Sequence, residues 1–573
     1  MFVLTLARFG QPPDHLLVAT FPYDEGVRSI VRDVPGRRWD EKHRVWLLPD
    51  NPDSILRMKA RLEATGWRLS MTPDVRNYLN AAYQSAHEAA AIRDAGDSDI
   101  AFDYITEPYA HQRAGLAFLV KLGGGALLWE MGLGKTKTAI DYAEWLTSGA
   151  DPAPFGRVLV ICPNTVRRNW GREIEKHAGH KDYVIPDGDY KKRMPLVGSR
   201  RYTILNTEAL SHPRMSALLA TRTWDLIVVD ESTRFKGPTS LRTKALHKLT
   251  ATHRIILTGT PITGSPEDAW APFEFVSPGL FGKSFYGFRD RYLDLDYFKK
   301  VQGVKPGKAA ELRDRLGSRS YRILKADVLD LPPKVYVDRV VTLDGDQKRA
   351  YVTMRDELRA EYEGGQIEAF NVLTQLLRLT QITSGMIGEA GTYQWLDKGN
   401  AKLAEMDGLM DELGEEPVVV FGLYQEELRQ LALRYAPRAA GTYTGGPRGV
   451  PAPIIYGPTP ERDRAVLIDD FQAGKIRRLF VQTRTGGIGI NLTAARTAIY
   501  YTRGWGLEEY LQSQDRLHRI GQTGTVTIVH LIAEGTVDIQ IAAALREKTR
   551  LADNLTGDLA RRLAREALGM KEP

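Results

Sequence analysis

Ala126-Leu127-Leu128-Trp129-Glu130-Met131-Gly132-Leu133-Gly134-Lys135-Thr136 passes from an apolar run through a glycine turn into a helical pattern. A short apolar run closed by glycines and followed by a helix reads as a strand buried on both faces, feeding a helix that packs back on it. The same order recurs on the C-terminal side, in the runs Val158 to Cys162, Tyr202 to Leu205, Leu226 to Val229 and Arg254 to Leu257. It returns in Val418 to Phe421, Ile454 to Tyr456, Leu479 to Val481, Ala498 to Tyr501 and Val526 to Leu531. Apolar strands alternating with helices predict an α/β fold with parallel sheets, and two separated clusters predict two lobes, over 105–272 and 397–545.

Around these lobes the pattern changes. Residues 1–75 mix short apolar strands with turns such as Asp33-Val34-Pro35-Gly36, which predicts a small α+β module, and alanine-rich 76–104 reads as a helical linker. Residues 273–396 read as a helical insertion and hinge, and 546–573 as a charged helical tail. No short internal repeat supports a solenoid.

Composition sets the class. Over 573 residues the chain is 43% hydrophobic and 26% charged, values of a globular protein rather than a disordered or fibrous one. Its net charge of +7 favours an anionic partner, though 71 acidic residues dilute it. The one cysteine, Cys162, lies in an apolar run and reads as core; it excludes an intramolecular disulfide and a multi-cysteine zinc site. No run approaches a membrane span, and the opening apolar stretch is too short for a signal peptide. The expectation is a chain that is not secreted and has no membrane partner, placed in the cytoplasm or on the nucleoid or nucleus.

The glycine turn carries chemistry. Gly132 and Gly134 let backbone N–H groups turn toward phosphate oxygens, with Met131 and Leu133 between them. Lys135 supplies a point charge to the β and γ phosphates, and Thr136 offers a hydroxyl to Mg²⁺. The strict phosphate-loop pattern fails at one position, because Trp129 stands where its first glycine belongs. Leu226-Ile227-Val228-Val229-Asp230-Glu231 ends a strand in two carboxylates, at the edge of a parallel sheet where ligands gather. Asp230 is the expected Mg²⁺ partner and Glu231 the group that orients or deprotonates the attacking water. In Gln514-Asp515-Arg516-Leu517-His518-Arg519-Ile520-Gly521-Gln522, Arg516 and Arg519 are spaced one helical turn apart, suited to two guanidinium groups on one polyphosphate. Gly486 to Leu492 is a second glycine turn, where the backbone at Gly489 could approach the nucleotide.

Taken in order, these residues resemble helicase superfamily 2, and its SNF2 branch in particular. Pro108-Tyr109-Ala110-His111-Gln112 is similar to that family's adenine-reading element, which implies Gln112 on adenine. Glu130 to Thr136 resembles motif I, in which the first glycine is commonly absent. Val160 to Asn164 with Trp170 resembles motif Ia, Asp230-Glu231 motif II, Leu257 to Pro261 motif III, Thr485 to Leu492 motif V, and Gln514 to Gln522 motif VI. The resemblance implies two RecA-like lobes, ATP and Mg²⁺ as cofactors, and DNA contacts near Thr165, Thr207, Thr258 and Thr485. Motif II departs from many relatives: Thr233 stands where their histidine links nucleotide state to the second lobe. Pro35-Gly36-Arg37-Arg38-Trp39-Asp40 with Trp46 is similar to the HARP module of annealing helicases. Arg37, Arg38 and Trp39 would then contact DNA phosphates and bases, while the alternative is that the tryptophans fill a small core.

The expected function is a DNA-stimulated ATPase that translocates on or remodels duplex, single-stranded or forked DNA, annealing strands if the first module acts as the resemblance implies. The alternatives are a strand-separating helicase, the motor subunit of a restriction or defence complex, and a DNA-binding scaffold that holds ATP without turning it over.

Overall fold

The computed structural model describes residues 3–9, 16–34, 37–49, 52–98, 100–148, 156–282, 284–363, 369–388, 393–435, 453–487 and 490–556. The chain divides into two compact units, one running to Leu324 and the other from Lys325 to Arg550.

The first unit begins with a five-stranded sheet in the order Arg38–Asp40, Val45–Pro49, Leu16–Thr20, Val3–Phe9, Arg68–Met71; only the last pair is parallel. Helices Glu25–Arg32 and Pro52–Ala64 cover it, and Val27, Val31, Ile55 and Leu62 join Leu17 and Leu48 in its core. Asp24 starts the first helix by accepting a hydrogen bond from Val27 N at 2.9 Å. Helix Pro73–Ala95, stopped at Gly96 with φ 73°, packs along helix Ala110–Leu122, the entry to the main sheet.

That sheet has seven strands in the order Ser320–Ile323, Gly124–Trp129, Thr250–Leu257, Thr223–Asp230, Val158–Cys162, Tyr202–Asn206, Tyr183–Val184. Every neighbouring pair is parallel. All residues of Gly124–Trp129 and Val158–Cys162 are buried, which is why these runs lack the polar alternation of a one-sided sheet. Their C-terminal ends place the glycine turn and Asp230-Glu231 on one edge.

The second unit holds six parallel strands in the order Lys334–Val341, Val526–Ala533, Thr497–Tyr500, Val418–Gly422, Arg478–Gln482, Ile454–Ile455. Apolar clusters cover both faces, one with Leu403, Met406, Leu428 and Leu431, the other with Leu467, Phe471, Leu492 and Leu517.

Two parallel-sheet lobes with helices therefore stand as the sequence implied. Residues 273–396 supply more than helices: Ser320–Ile323 and Lys334–Val341 are edge strands of the two main sheets, and Leu293–Leu295 with Val301–Val304 form a hairpin. Edge strands escape an apolar-run search because one side meets water. Val335, Tyr336 and Val340 are 44, 51 and 59% exposed, and Asp338 and Arg339 sit among them. At the end of the described residues Val537–Thr556 is one helix; the expected tail beyond 556 lies outside them. No helix among the described residues is long and apolar enough to cross a membrane.

Candidate nucleotide site

The glycine turn is built on left-handed backbone at Gly132 (φ 84°) and Gly134 (φ 82°), after which helix Lys135–Ser148 begins. At Gly134 a side chain is excluded twice, because a Cβ there would meet Gln112 Nε2 at 2.2 Å. Gln112 is 4% exposed; its Nε2 donates to Leu133 O at 3.2 Å, and its Oε1 accepts from Tyr109 N at 3.1 Å. His111 Nε2 lies 2.9 Å from the same Leu133 carbonyl. Both side chains of the Pro108–Gln112 element thus brace the turn, a role for His111 that the sequence did not single out.

Lys135 Nζ donates to Trp129 O at 2.7 Å and Glu130 O at 3.2 Å, so its ammonium rests on carbonyls of the loop, where a polyphosphate would compete for it. Trp129 itself is buried, edge-on to Tyr321, and fills the space left by Gly115, where a Cβ would lie 2.5 Å from its ring. The tryptophan in the first glycine position therefore packs inward and leaves only its carbonyl facing the loop.

Asp230 ends the central strand. Trp170 Nε1 donates to its Oδ2 at 2.9 Å, and Glu231 N donates to its Oδ1 at 3.0 Å. Burial pushes the Asp230 carboxyl above the usual range, while the Trp170 hydrogen bond and the nearby Lys135 charge pull it back toward ionisation. Glu231 adopts φ 48°, ψ 56°, a left-handed conformation that residues other than Gly, Asn and Asp rarely take. Backbone strain of this kind clusters at functional sites. The sheet edge is tied together by Arg322, whose Nη1 donates to Gly259 O at 2.7 Å and Leu128 O at 3.2 Å. No sequence signal marked Arg322, because it belongs to an edge strand without an apolar run.

These residues fit a nucleotide carrying Mg²⁺. Left-handed Gly132 and Gly134, Lys135, the Thr136 hydroxyl and one carboxylate would suit a hard cation that keeps waters and shares its ligands with phosphates. Among the described residues no group of three or more His, Cys, Asp or Glu could form an all-protein metal cage.

In the second unit, helix Leu507–Gln514 stops at Asp515, so Arg516 and Arg519 lie on the turns that follow it rather than on a helix face. Arg516 is 3% exposed and its carbonyl accepts from Leu492 N at 3.0 Å; Arg519 is half-buried. Lys325 Nζ bonds Asp515 Oδ1 at 2.7 Å and His518 O at 2.8 Å, and Gln522 Nε2 donates to Ala495 O at 2.9 Å. The arginine-bearing turns are thereby anchored on both flanks. Gly489 lies outside the described residues.

The residues expected near DNA divide by exposure. Thr165 is exposed and Thr485 half-buried, whereas Thr207 and Thr258 are 0 and 1% exposed. The Thr207 hydroxyl donates to Glu208 and that of Thr258 accepts from Thr260 N. Arg38 and Trp39 are exposed on the first sheet, while Trp46 packs against its core.

A family model described as SNF2-related domain matches residues 111–385, and one described as helicase conserved C-terminal domain matches 401–521. The chain is 28% identical over 471 residues to the ISWI chromatin-remodeling complex ATPase ISW1 of Saccharomyces cerevisiae, a match covering 77% of this chain and 40% of that protein. It is 29% identical over 468 residues to the chromodomain-helicase-DNA-binding protein 1-like of Mus musculus, covering 78% and 49%. The chain thus spans less than half the length of these relatives. The Sulfolobus solfataricus SWI2/SNF2 ATPase core in complex with dsDNA aligns with TM-score 0.39 and 24% identity, over 80% of this chain and 95% of that one.

Proposed function

The chain joins an SNF2-related domain to a helicase C-terminal domain and so belongs to the SNF2 family of helicase-like ATPases, and from that premise we propose that it hydrolyses ATP under the control of DNA and uses each turnover to step along duplex or branched DNA. The observation that carries this reading is the cluster on one sheet edge: left-handed Gly132 and Gly134, Lys135, the half-buried Asp230 held by Trp170, and strained Glu231. Lys135 and the loop N–H groups bind the phosphates, Thr136 and Asp230 hold the metal, and Glu231 orients the attacking water. Mg²⁺ neutralises charge on the phosphates when bound. Arg516 and Arg519 of the second lobe are the candidate donors to the transferring phosphoryl group. Contacts to the DNA backbone give little sequence preference and a steep salt dependence.

Phosphate release with and without DNA tests the proposal. Strong stimulation by DNA, absent in Lys135→Ala, is expected; a wild-type rate equal to that of the variant leaves only an ATP-holding scaffold. Robust unwinding of blunt duplex would favour a strand-separating helicase instead.

A second reading, strand annealing, is favoured by the first module. Trp39 is 47% exposed with its ring centroid 5.2 Å from that of Trp46, and the Arg37 guanidinium lies 5.7 Å from the Trp46 ring. An exposed indole beside a cation suits unpaired bases and phosphates. Rewinding of bubble DNA, lost in Trp39→Ala, tests it.

A further inference from the structure

The hairpin Leu293–Leu295 and Val301–Val304 is anchored at its base and bare at its tip. Leu293 is fully buried, and Leu295, Val301 and Val304 pack against the first unit's core beside Phe288 and Tyr292. At the turn the next two aromatics face outward: Tyr297 is 92% and Phe298 85% exposed, with ring centroids 5.4 Å apart at 86°. Two adjacent, so fully exposed large aromatics form an apolar surface suited to stacking against a partner.

The turn is preorganised rather than loose. Asp296 accepts from Lys300 N at 2.8 Å and Gln302 Nε2 at 3.0 Å, Lys299 N donates to Asp296 O at 2.9 Å, and Lys299 takes φ 63°. The Arg289 guanidinium donates to Lys299 O. Charge favours an anion: Lys299 and Lys300 are exposed and make no ion pair among the described residues, and from Arg289 to Lys308 six basic residues face three acidic ones. Aromatic faces flanked by lysines are the chemistry of nucleic-acid recognition, bases stacking on the rings and phosphates meeting the ammonium groups.

The stem is also tied to the turn Pro266–Ala269. Arg289 forms an ion pair with Glu267 at 3.1 Å, in the turn Pro266–Ala269. Next to Glu267, Asp268 accepts from Thr263 N, Thr263 Oγ1 and Gly264 N, and pairs with Lys236 at 3.4 Å, five residues beyond Glu231. The hairpin base is thus paired to the turn Pro266–Ala269, and that turn to Lys236.

We propose that this hairpin is a base-contact element: Tyr297 and Phe298 stack on unpaired DNA bases while Lys299 and Lys300 engage the adjacent phosphates. The proposal rests on the DNA-acting reading given above and adds a site to it. The test is binding of the full chain to a fluorescein-labelled oligonucleotide in single-stranded, forked and blunt duplex forms, with 2-aminopurine in the unpaired arm to report stacking. Tyr297→Ala with Phe298→Ala is expected to weaken single-stranded and forked binding by about tenfold or more, to abolish the 2-aminopurine response and to leave blunt duplex binding intact. Tryptophan at both positions retains the response. Lys299→Ala with Lys300→Ala lowers the dependence of affinity on salt instead. Because both aromatics are exposed, the variants are expected to melt with the wild type. If the alanine pair binds and responds like the wild type, or weakens all three DNA forms equally, base stacking at this hairpin is overturned while the motor reading stands. A wild-type chain that binds no DNA form overturns both.

Discussion

Trp170 donates its indole N–H to Asp230 across 2.9 Å, fixing one carboxylate oxygen of a side chain that burial would otherwise drive toward its neutral form. The tryptophan is 1% exposed and cannot touch a nucleotide, so it acts through the carboxylate. Trp170→Phe keeps the ring and removes the donor. Loss of such an orienting partner costs about 10- to 100-fold in metal affinity or activity. ATPase rate against Mg²⁺ concentration is therefore expected to shift to higher Mg²⁺ or to plateau lower; an unchanged curve would show that the hydrogen bond orients nothing of consequence.

Lys135 and Arg519 are expected to fail differently. Lys135 lies in the phosphate loop, so Lys135→Ala loses ATP affinity together with hydrolysis. Arg519 is half-buried on an anchored turn of the second unit, and Arg519→Ala is expected to retain ATP binding while hydrolysis falls by roughly 10³-fold. Fluorescent nucleotide titration beside phosphate release separates the two, and equal loss of binding in both variants would remove Arg519 from the transferring phosphoryl group.

The glycine turn at Gly132 to Lys135 is readable in sequence because left-handed glycines between an apolar strand and a helix are required by one local geometry. Trp129 is not: its fit depends on Gly115, in helix Ala110–Leu122, and on Tyr321, on a strand nearly two hundred residues away. Arg322 escaped for the same reason, since a cation that joins Leu128 O to Gly259 O leaves no periodic trace. The arginine pair is legible by its spacing, but the end of the helix at Gln514 and the Asp515–Lys325 pair beside it are not. Thr207 and Thr258 are expected near DNA by resemblance alone, which carries no information on their burial.

The two loop glycines separate strain from crowding. At Gly132 a Cβ meets nothing within 4 Å, so Gly132→Ala suffers only from φ 84°, about 1–2 kcal/mol. At Gly134 the same strain is joined by a 2.2 Å approach to Gln112, which must leave Leu133 O. The ATP KM is expected to rise more for Gly134→Ala than for Gly132→Ala, and Gln112→Ala to narrow the gap. Equal effects of the two alanines would mean that Gln112 does not brace the turn.

Glu427 sets a pH dependence in the second unit. The side chain is fully buried, accepts from Thr502 Oγ1 at 2.6 Å and Leu423 N at 3.0 Å, and is pushed up to about 7 by burial, against the opposing pull of Thr502 and Lys402. An unfolded chain ionises this group at its ordinary 4.5. Between those values the folded unit holds a proton that the unfolded one has released, so stability falls as pH rises across the window and levels off above about 7. The full span amounts to on the order of 3 kcal/mol. Glu427→Gln keeps an acceptor for both donors and never ionises, and Lys402 stays paired with Asp538 at 2.6 Å, so no buried charge is stranded. Hydrogen exchange of the amides of Val418–Gly422, followed from pH 5 to 8 after correction for intrinsic rates, is expected to show protection declining in the wild type relative to the variant. Parallel profiles would mean that the carboxyl ionises as readily inside the fold as outside it, which its burial between Thr502 and the strand end makes physically costly.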